Sequence, residues 1–391
     1  MRVGDTIYLD YQATTPVDPR VMEAMFPYFA EEFGNPHSSD HVVGWRAAGA
    51  LEEATDRIAH LIGADSDEIF FTSGATESNN LALLGLGRRS ISGNRHRILV
   101  SSIEHKCVLA VSRILREHLG YTVEQLPVDT EGRLIIRDLE KAMDENVLIV
   151  SVMAVNNEIG TIQDIQSIST VVRKHGAMFH SDAAQAPGAI DLGTIARTVD
   201  FLSLSGHKMC GPKGIGALFV RRDLQDQIEP LIYGGGQQRN LRSGTVPVAL
   251  CVGMGAAAAI LGRGPAIRDR ESLRHRRDRF VDSLLRLPWR VVVNGPRSAE
   301  RHPGNANVRF DGFSAHEILG ALQPRVAAST GSACTSGIPE PSHVLKAIGL
   351  TSSESEASIR FSLGIQTSDN DIDRATSLIR EVLASLSGGH V

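Results

Sequence analysis

Short apolar runs rich in β-branched residues alternate with helical patterns through most of this chain, and that alternation constrains the fold more than any other feature. The expected strands cover residues 68–72, 97–101, 122–127, 147–153, 177–182, 201–204 and 215–220. Between them, Ala47, Leu51, Ala54, Ile58 and Leu61 fall on one stripe at helical spacing, and residues 164–175 carry a second such pattern. Strands that alternate with helices imply an α/β fold, a mainly parallel sheet covered by helices on both faces. The last three strands follow one another with little helix between, so a mixed sheet is expected.

The pattern changes after Gly244. A Gly/Ala-rich apolar helix is expected to about Leu261, followed by the break Gly262-Arg263-Gly264-Pro265. Beyond it, strands at 290–294, 305–310, 326–330 and 358–363 interleave with helices. The last helix opens at Ser368 with Asp371 three residues on, a start of the capping-box type. This is a second, smaller α+β unit. The division expected is a large domain over residues 15–262 and a small one formed by 1–14 and 263–391.

A chain of 391 residues suits about two domains. With 42% apolar and 22% charged residues it has the balance of a soluble globular protein. The net charge of −5 gives no reason to expect nucleic acid as a partner. The basic run from Arg268 to Arg279 lies on a helical pattern and reads as a solvated face. No apolar stretch approaches the ~20 residues of a membrane span. The opening MRVGDTIYLD runs into a strand pattern without a leader, so a cytoplasmic protein is expected. The four cysteines, Cys107, Cys210, Cys251 and Cys334, are far apart and suggest neither a metal site nor disulfides.

Polar groups gather where strands end. Lys208, in Ser205-Gly206-His207-Lys208, follows the run 201–204, at the edge where α/β proteins place ligands. A lysine there can be desolvated and suited to Schiff-base chemistry, although alone it reads more readily as a surface lysine in a glycine-rich turn. Asp182 ends another strand and is placed to pair with a pyridinium nitrogen or simply to cap a helix. Residues 72–78 (TSGATES) join a strand to a helix start, a place for a phosphate or a plain capped turn. His105 and Asn156 follow two further strands. Cys334 sits in a run of small and hydroxyl residues that cannot build a core, so an accessible thiol is expected. Cys251 reads as core, and packing is favoured for Cys107 and Cys210.

With these residues in view, the sequence resembles the cysteine desulfurases of the class V aminotransferase group, enzymes of fold type I that use pyridoxal 5'-phosphate (PLP). The resemblance runs from residues 8–16 and 33–38 through 72–79, 155–160, 205–208 and 242–245 to 331–336 and 359–362. It implies that Lys208 holds PLP as a Schiff base, Asp182 pairs with the ring nitrogen, Gln185 bonds the ring hydroxyl and His105 stacks on the ring. Ala75, Thr76, Ser205 and His207 would surround the phosphate, with Thr245 reaching in from a partner subunit of a homodimer. Asn156 and Arg360 would bind the carboxylate of L-cysteine, and Cys334 would take its sulfur as a persulfide while alanine leaves. A sulfur-acceptor protein is implied as partner, whether for iron–sulfur assembly, tRNA thiolation, nitrogenase-cluster assembly or DNA phosphorothioation. The segment S-A-C-T-S-G around Cys334 is similar to the longer-loop group of the family. Cys107, Cys210 and Gln238 depart from its usual residues. Two rivals fit less of the pattern: an aminotransferase on the same fold, and a non-catalytic sulfur-relay scaffold.

Overall fold

The structure is a computed structural model that describes residues 1–262, 265–297, 299–331 and 342–388. Its strands are β1 (Arg2–Val3), β2 (Thr6–Tyr8), β3 (Ile69–Thr72), β4 (Arg97–Ser101), β5 (Thr122–Leu126), β6 (Val147–Ser151), β7 (Met178–Asp182), β8 (Phe201–Ser205), β9 (Gly216–Val220), β10 (Val291–Val293), β11 (Asn305–Phe310), β12 (Val326–Ala327) and β13 (Ser358–Ser362). Seven of them form one sheet in the order β3-β9-β8-β7-β6-β4-β5. The pairs β8–β7, β7–β6, β6–β4 and β4–β5 are parallel, while β9 runs antiparallel to both β8 and β3. The sheet is therefore mixed, with β9 alone reversed. That reversal leaves β3 pointing the same way as the five parallel strands.

Neighbouring residues of each strand face opposite sides, which sorts the apolar runs into two cores. Phe71, Leu99 and Val150 face a core built with helices Val42–Ile62, Ile165–Lys174 and Val248–Leu261. Phe70, Ile98 and Leu148 face the other, built with Lys106–Leu119 and the helical segments Leu81–Gly85 and Leu86–Arg89. Strands buried on both faces read as continuous apolar runs, as observed. Pro127 has no N–H for a ladder, and the expected fifth residue pairings stop at Leu126. The run 147–153 leaves the sheet after Ser151, and the Met153 N–H turns instead to Glu104 Oε1 at 2.6 Å.

A third core joins β11 and β13 to the helices around them. Phe280, Phe310 and Phe361 pack there edge to face, with ring centroids 5.3 and 6.5 Å apart. The N-terminus belongs to this core: Ile7 and Leu9 are buried in it, and β2 pairs in parallel with β12. Strand β12 is shorter than the expected 326–330, because Ser329 leaves it to bridge Arg360 on β13. The final helix, Asp369–Gly388, is capped as its sequence indicates. Ser368 N–H and Oγ–H donate to Asp371 Oδ2 at 3.0 and 2.8 Å, and Asp371 N–H donates back to Ser368 Oγ at 3.1 Å.

The free edge of β3 is closed by a side chain. Gln238 Oε1 accepts the Phe71 N–H at 2.6 Å, and its Nε2 donates to Phe71 O at 2.9 Å. Gln238, Arg239 and Asn240 hold positive φ angles of 48°, 58° and 65° to bring this amide alongside. Arg239 then stacks 4.5 Å over the Phe70 ring.

Helices Val42–Ile62 and Val248–Leu261 touch through Gly255, where a Cβ would lie 2.7 Å from Ala54 Cα. Because backbone would have to move, Gly255→Ala is expected to cost about 1–3 kcal/mol of stability, measured by urea unfolding.

Candidate functional site

Strands β3, β4, β6, β7 and β8 run the same way, so their carboxyl ends meet at one edge of the sheet, the place where open α/β sheets bind ligands. A cavity of about 590 Å³ opens there. Ala75, Thr76, His105, Asp182, Gln185, Ser205, His207 and Lys208 all line it. These eight are drawn from positions up to 133 apart in the chain and are brought together by the parallel strand ends.

Lys208 is carried by a short turn, Gly206–Lys208, directly after β8. Gly206 makes that turn possible, because a Cβ there would lie 2.8 Å from Pro212 O. The Lys208 ammonium donates to the carbonyls of Gln12 and Ala13, the latter at 2.7 Å. Burial first, and then the positive charge of Arg360, lower its pKa to about 8 against the opposing pull of Asp10 and Asp182. At pH 7 about one such amine in ten is unprotonated, far more than for an ordinary lysine.

Asp182 ends β7 and is 4% exposed. Its Oδ2 accepts from Asn79 Nδ2 at 2.7 Å and its Oδ1 from the Ala184 N–H at 2.9 Å, so the carboxylate is fixed from two sides. Gln185 Nε2 donates to Gln12 O at 2.9 Å. His207 Nδ1 lies 3.1 Å from Thr14 Oγ1. Its pKa is lowered to about 4, by burial and then by Lys208 and Lys213. His105 caps the helix Lys106–Leu119, and burial lowers its pKa. Beneath the site, burial raises Glu104 well above the carboxylate range, with Asp182 adding to it. His180, wholly buried between Ser151 and Ser203, is lowered to about 4.

At the other end of the cavity the helix Ala75–Asn80 begins after Gly74. Gly216 lets this turn press against the sheet, since a Cβ there would lie 2.6 Å from Gly74 Cα. The first N–H groups of a helix have no partner within it, and here the residues of the helix start, Gly74, Ala75, Thr76 and Glu77, line the cavity. Glu77 is held by Arg242 at 2.8 Å and accepts the Ser73 N–H at 2.7 Å.

Other expected site residues stand apart. Asn156 is fully buried and its amide is spent on the fold. Its Oδ1 accepts the N–H groups of Glu158 and Ile159 at 2.8 and 2.9 Å, and its Nδ2 donates to Ile103 O at 3.0 Å. The next residue, Asn157, lines the cavity instead. Arg360 sits behind it, donating from Nη1 to Asn157 O at 2.9 Å and from Nη2 to Asp10 Oδ1 at 2.7 Å. Thr245 is exposed and does not line the cavity of its own chain. Cys334 lies outside the described residues. Sequence reasoning did not single out Thr14, Lys213 or Asn157 as wall residues, nor Asp10 as the partner of Arg360. Cys107, expected as packing, also faces the cavity, with Sγ 3.0 Å from His105 Nδ1. Cys251 is fully buried.

Known proteins share this arrangement. Residues 7–375 match the family model described as aminotransferase class V, and the chain belongs to that family, whose enzymes depend on PLP. Cysteine desulfurase IscS of Rickettsia bellii (strain OSU 85-389) is 47% identical over 373 residues, covering 95% of this chain and 90% of the relative. A solved NifS-like protein superposes with a TM-score of 0.89 at 34% identity, over 98% of this chain and all of the other. A second structure, SspA in complex with cysteine, gives a TM-score of 0.79 at 37% identity, over 91% and 98%. Within its family this chain is thus a PLP-dependent enzyme of the cysteine desulfurase kind. The cavity fits that cofactor on its own chemistry: an amine of lowered pKa for an aldehyde, a fixed carboxylate for a pyridine nitrogen, and helix-start N–H groups with hydroxyls for a phosphate.

Stability should fall as pH drops from about 6.5 toward 4, because the unfolded chain protonates His180 and His207 while the folded one keeps them neutral down to about 4. Urea midpoints measured across that range check this. His180→Gln, if it folds, should flatten the dependence.

Proposed function

We propose that this enzyme takes the sulfur of free L-cysteine onto Cys334 as a persulfide, releases alanine, and passes the sulfur to an acceptor protein. The observation that carries the reading is the single cavity in which the Lys208 amine and the Asp182 carboxylate stand with a helix start between strand ends. The cysteine held by the related SspA structure supports the choice of substrate.

Lys208 would hold the cofactor, Asp182 its ring nitrogen, Gln185 its hydroxyl, and Ala75, Thr76, Ser205 and His207 its phosphate. When bound, PLP supplies an electron sink for the bonds at the α-carbon of the substrate. Lys208 Nζ, with a pKa of about 8, both takes and returns a proton near neutral pH. His105, as a neutral imidazole, would stack on the cofactor ring and exchange protons near neutral pH. Arg360 offers a planar guanidinium for the substrate carboxylate, and Asn157 lines the wall in front of it. Asn156 supports that wall from behind. The Cys334 thiolate bonds to the substrate sulfur, the C–S bond breaks, and the carbon left behind is protonated to give alanine.

What is left uncovered supports a homodimer. Met22, Phe26, Phe29, Phe33 and Trp45 are exposed along consecutive segments that pack on the helix Val248–Leu261. A second copy would cover them and place the exposed Thr245 at the partner's phosphate end. The division into residues 15–262 and 1–14 with 263–391 is supported by the separate apolar core that holds Ile7, Leu9 and the C-terminal elements. Among the described residues no helix is long and apolar enough to cross a membrane, which agrees with a cytoplasmic site of action.

Cys334→Ala is expected to keep the visible absorbance of lysine-bound cofactor and lose alanine formation from cysteine by at least 100-fold, about the scale at which removing a nucleophile acts. Lys208→Ala should lose that absorbance. Full turnover by Cys334→Ala would remove the thiol from the reaction. Light scattering should give a mass near twice the 42.2 kDa of one chain, and Phe26→Asp with Phe33→Asp should halve it.

A further inference from the structure

The reaction above leaves one thiol in the cavity wall without a task. His105 Nδ1 accepts the Cys107 backbone N–H at 3.2 Å, so in the neutral ring the proton sits on Nε2. Cys107 Sγ lies 3.0 Å from the same Nδ1 and 3.2 Å from Asn79 Nδ2. The Asn79 nitrogen also donates to Asp182 Oδ2 at 2.7 Å. An amide nitrogen only donates. The sulfur therefore accepts from Asn79 and gives its own proton to His105 Nδ1, whose one lone pair it shares with the Cys107 backbone N–H. Burial keeps that proton in place, pushing the thiol up to about 12, with Asp182 adding to the effect and the hydrogen bonds of Asn79 and then Thr76 opposing it.

We propose that Cys107 is a positioning residue for the desulfurase chemistry: its thiol joins Asn79 to His105, so that the carboxylate of Asp182 and the imidazole of His105 are held by one chain of hydrogen bonds. The proposal rests on the reading of this cavity as the cofactor site. Its consequence concerns the ring. A thiol proton on Nδ1 favours the neutral imidazole, in the same sense as burial and the charges of Lys208 and His343, and against Asp182 and Glu158. A cysteine that merely packed would leave the ring's titration unchanged when replaced by a residue of similar size.

The test is the titration of His105 in the holoenzyme, followed by NMR of ring-labelled histidine and assigned by the signal lost in His105→Asn. Cys107→Ala should raise the His105 midpoint by about half to one pH unit, the shift that one net hydrogen bond corresponds to. Cys107→Ser, which returns a donor, should bring it back toward wild type. Cys107→Val fills the space without a donor and should behave as alanine does, which guards against a variant that folds poorly. A midpoint in Cys107→Ala within about 0.2 unit of wild type, or serine and alanine alike, overturns the proposal. Alanine formation is read on the same samples. Its absence in the wild type counts against the desulfurase reading, while the ring titration still decides the role of Cys107.

Discussion

The site depends on strand direction. Five strands of the large sheet, β3, β4, β6, β7 and β8, end at one edge, and residues at or just after those ends line the same space. Reversing any of β4, β6, β7 or β8 would carry its polar residue to the far side of the sheet, some five residues or about 17 Å away. The reversed β9 is what permits β3 to share the common direction while lying next to it. The helix start at Gly74 thus reaches the cavity through a strand that contributes no side chain to it.

Desolvation then sets the chemistry. The same burial that makes His180 and His207 poor bases brings Lys208 down to about 8, close to the pH at which an amine both donates and accepts. Asp182 keeps its place at the other side of the cavity because Asn79 and the Ala184 N–H satisfy its oxygens. Arg360 is balanced by Asp10 rather than left as a bare buried charge. That pair ties the N-terminal segment to β13, so the guanidinium belongs to the seam between the third core and the large sheet.

Much of the fold was legible because periodicity is local. The strands at 97–101 and 305–310 have the bounds expected of them, and the others differ by a residue or a few at their ends. The shortening of 147–153 was invisible because it depends on Glu104, far away in sequence. The motifs at Lys208, Asp182 and Thr76 could be found as polar groups after apolar runs. Which of Asn156 and Asn157 faces the cavity could not, since the turn between them is set by contacts with Glu158, Ile159 and Ile103. Cys107 packs against the second core as expected, and that it also lines the cavity was hidden for a related reason. It follows a helix cap, and whether such a residue turns inward or toward a ligand depends on the neighbouring helix that carries Asn79.

The side-chain amide on the edge of β3 has a meaning beyond this loop. An unpaired strand edge is a template on which a foreign strand can add, and chains that leave one bare tend to associate through it. Here the outermost backbone groups of Phe71 are already occupied by Gln238, which imitates a neighbouring strand one residue long. A carboxylate in its place could accept from Phe71 N–H but could not donate to Phe71 O. The identity of residue 238 therefore bears on whether a further strand can add at this edge, a trait separate from the chemistry of the cavity.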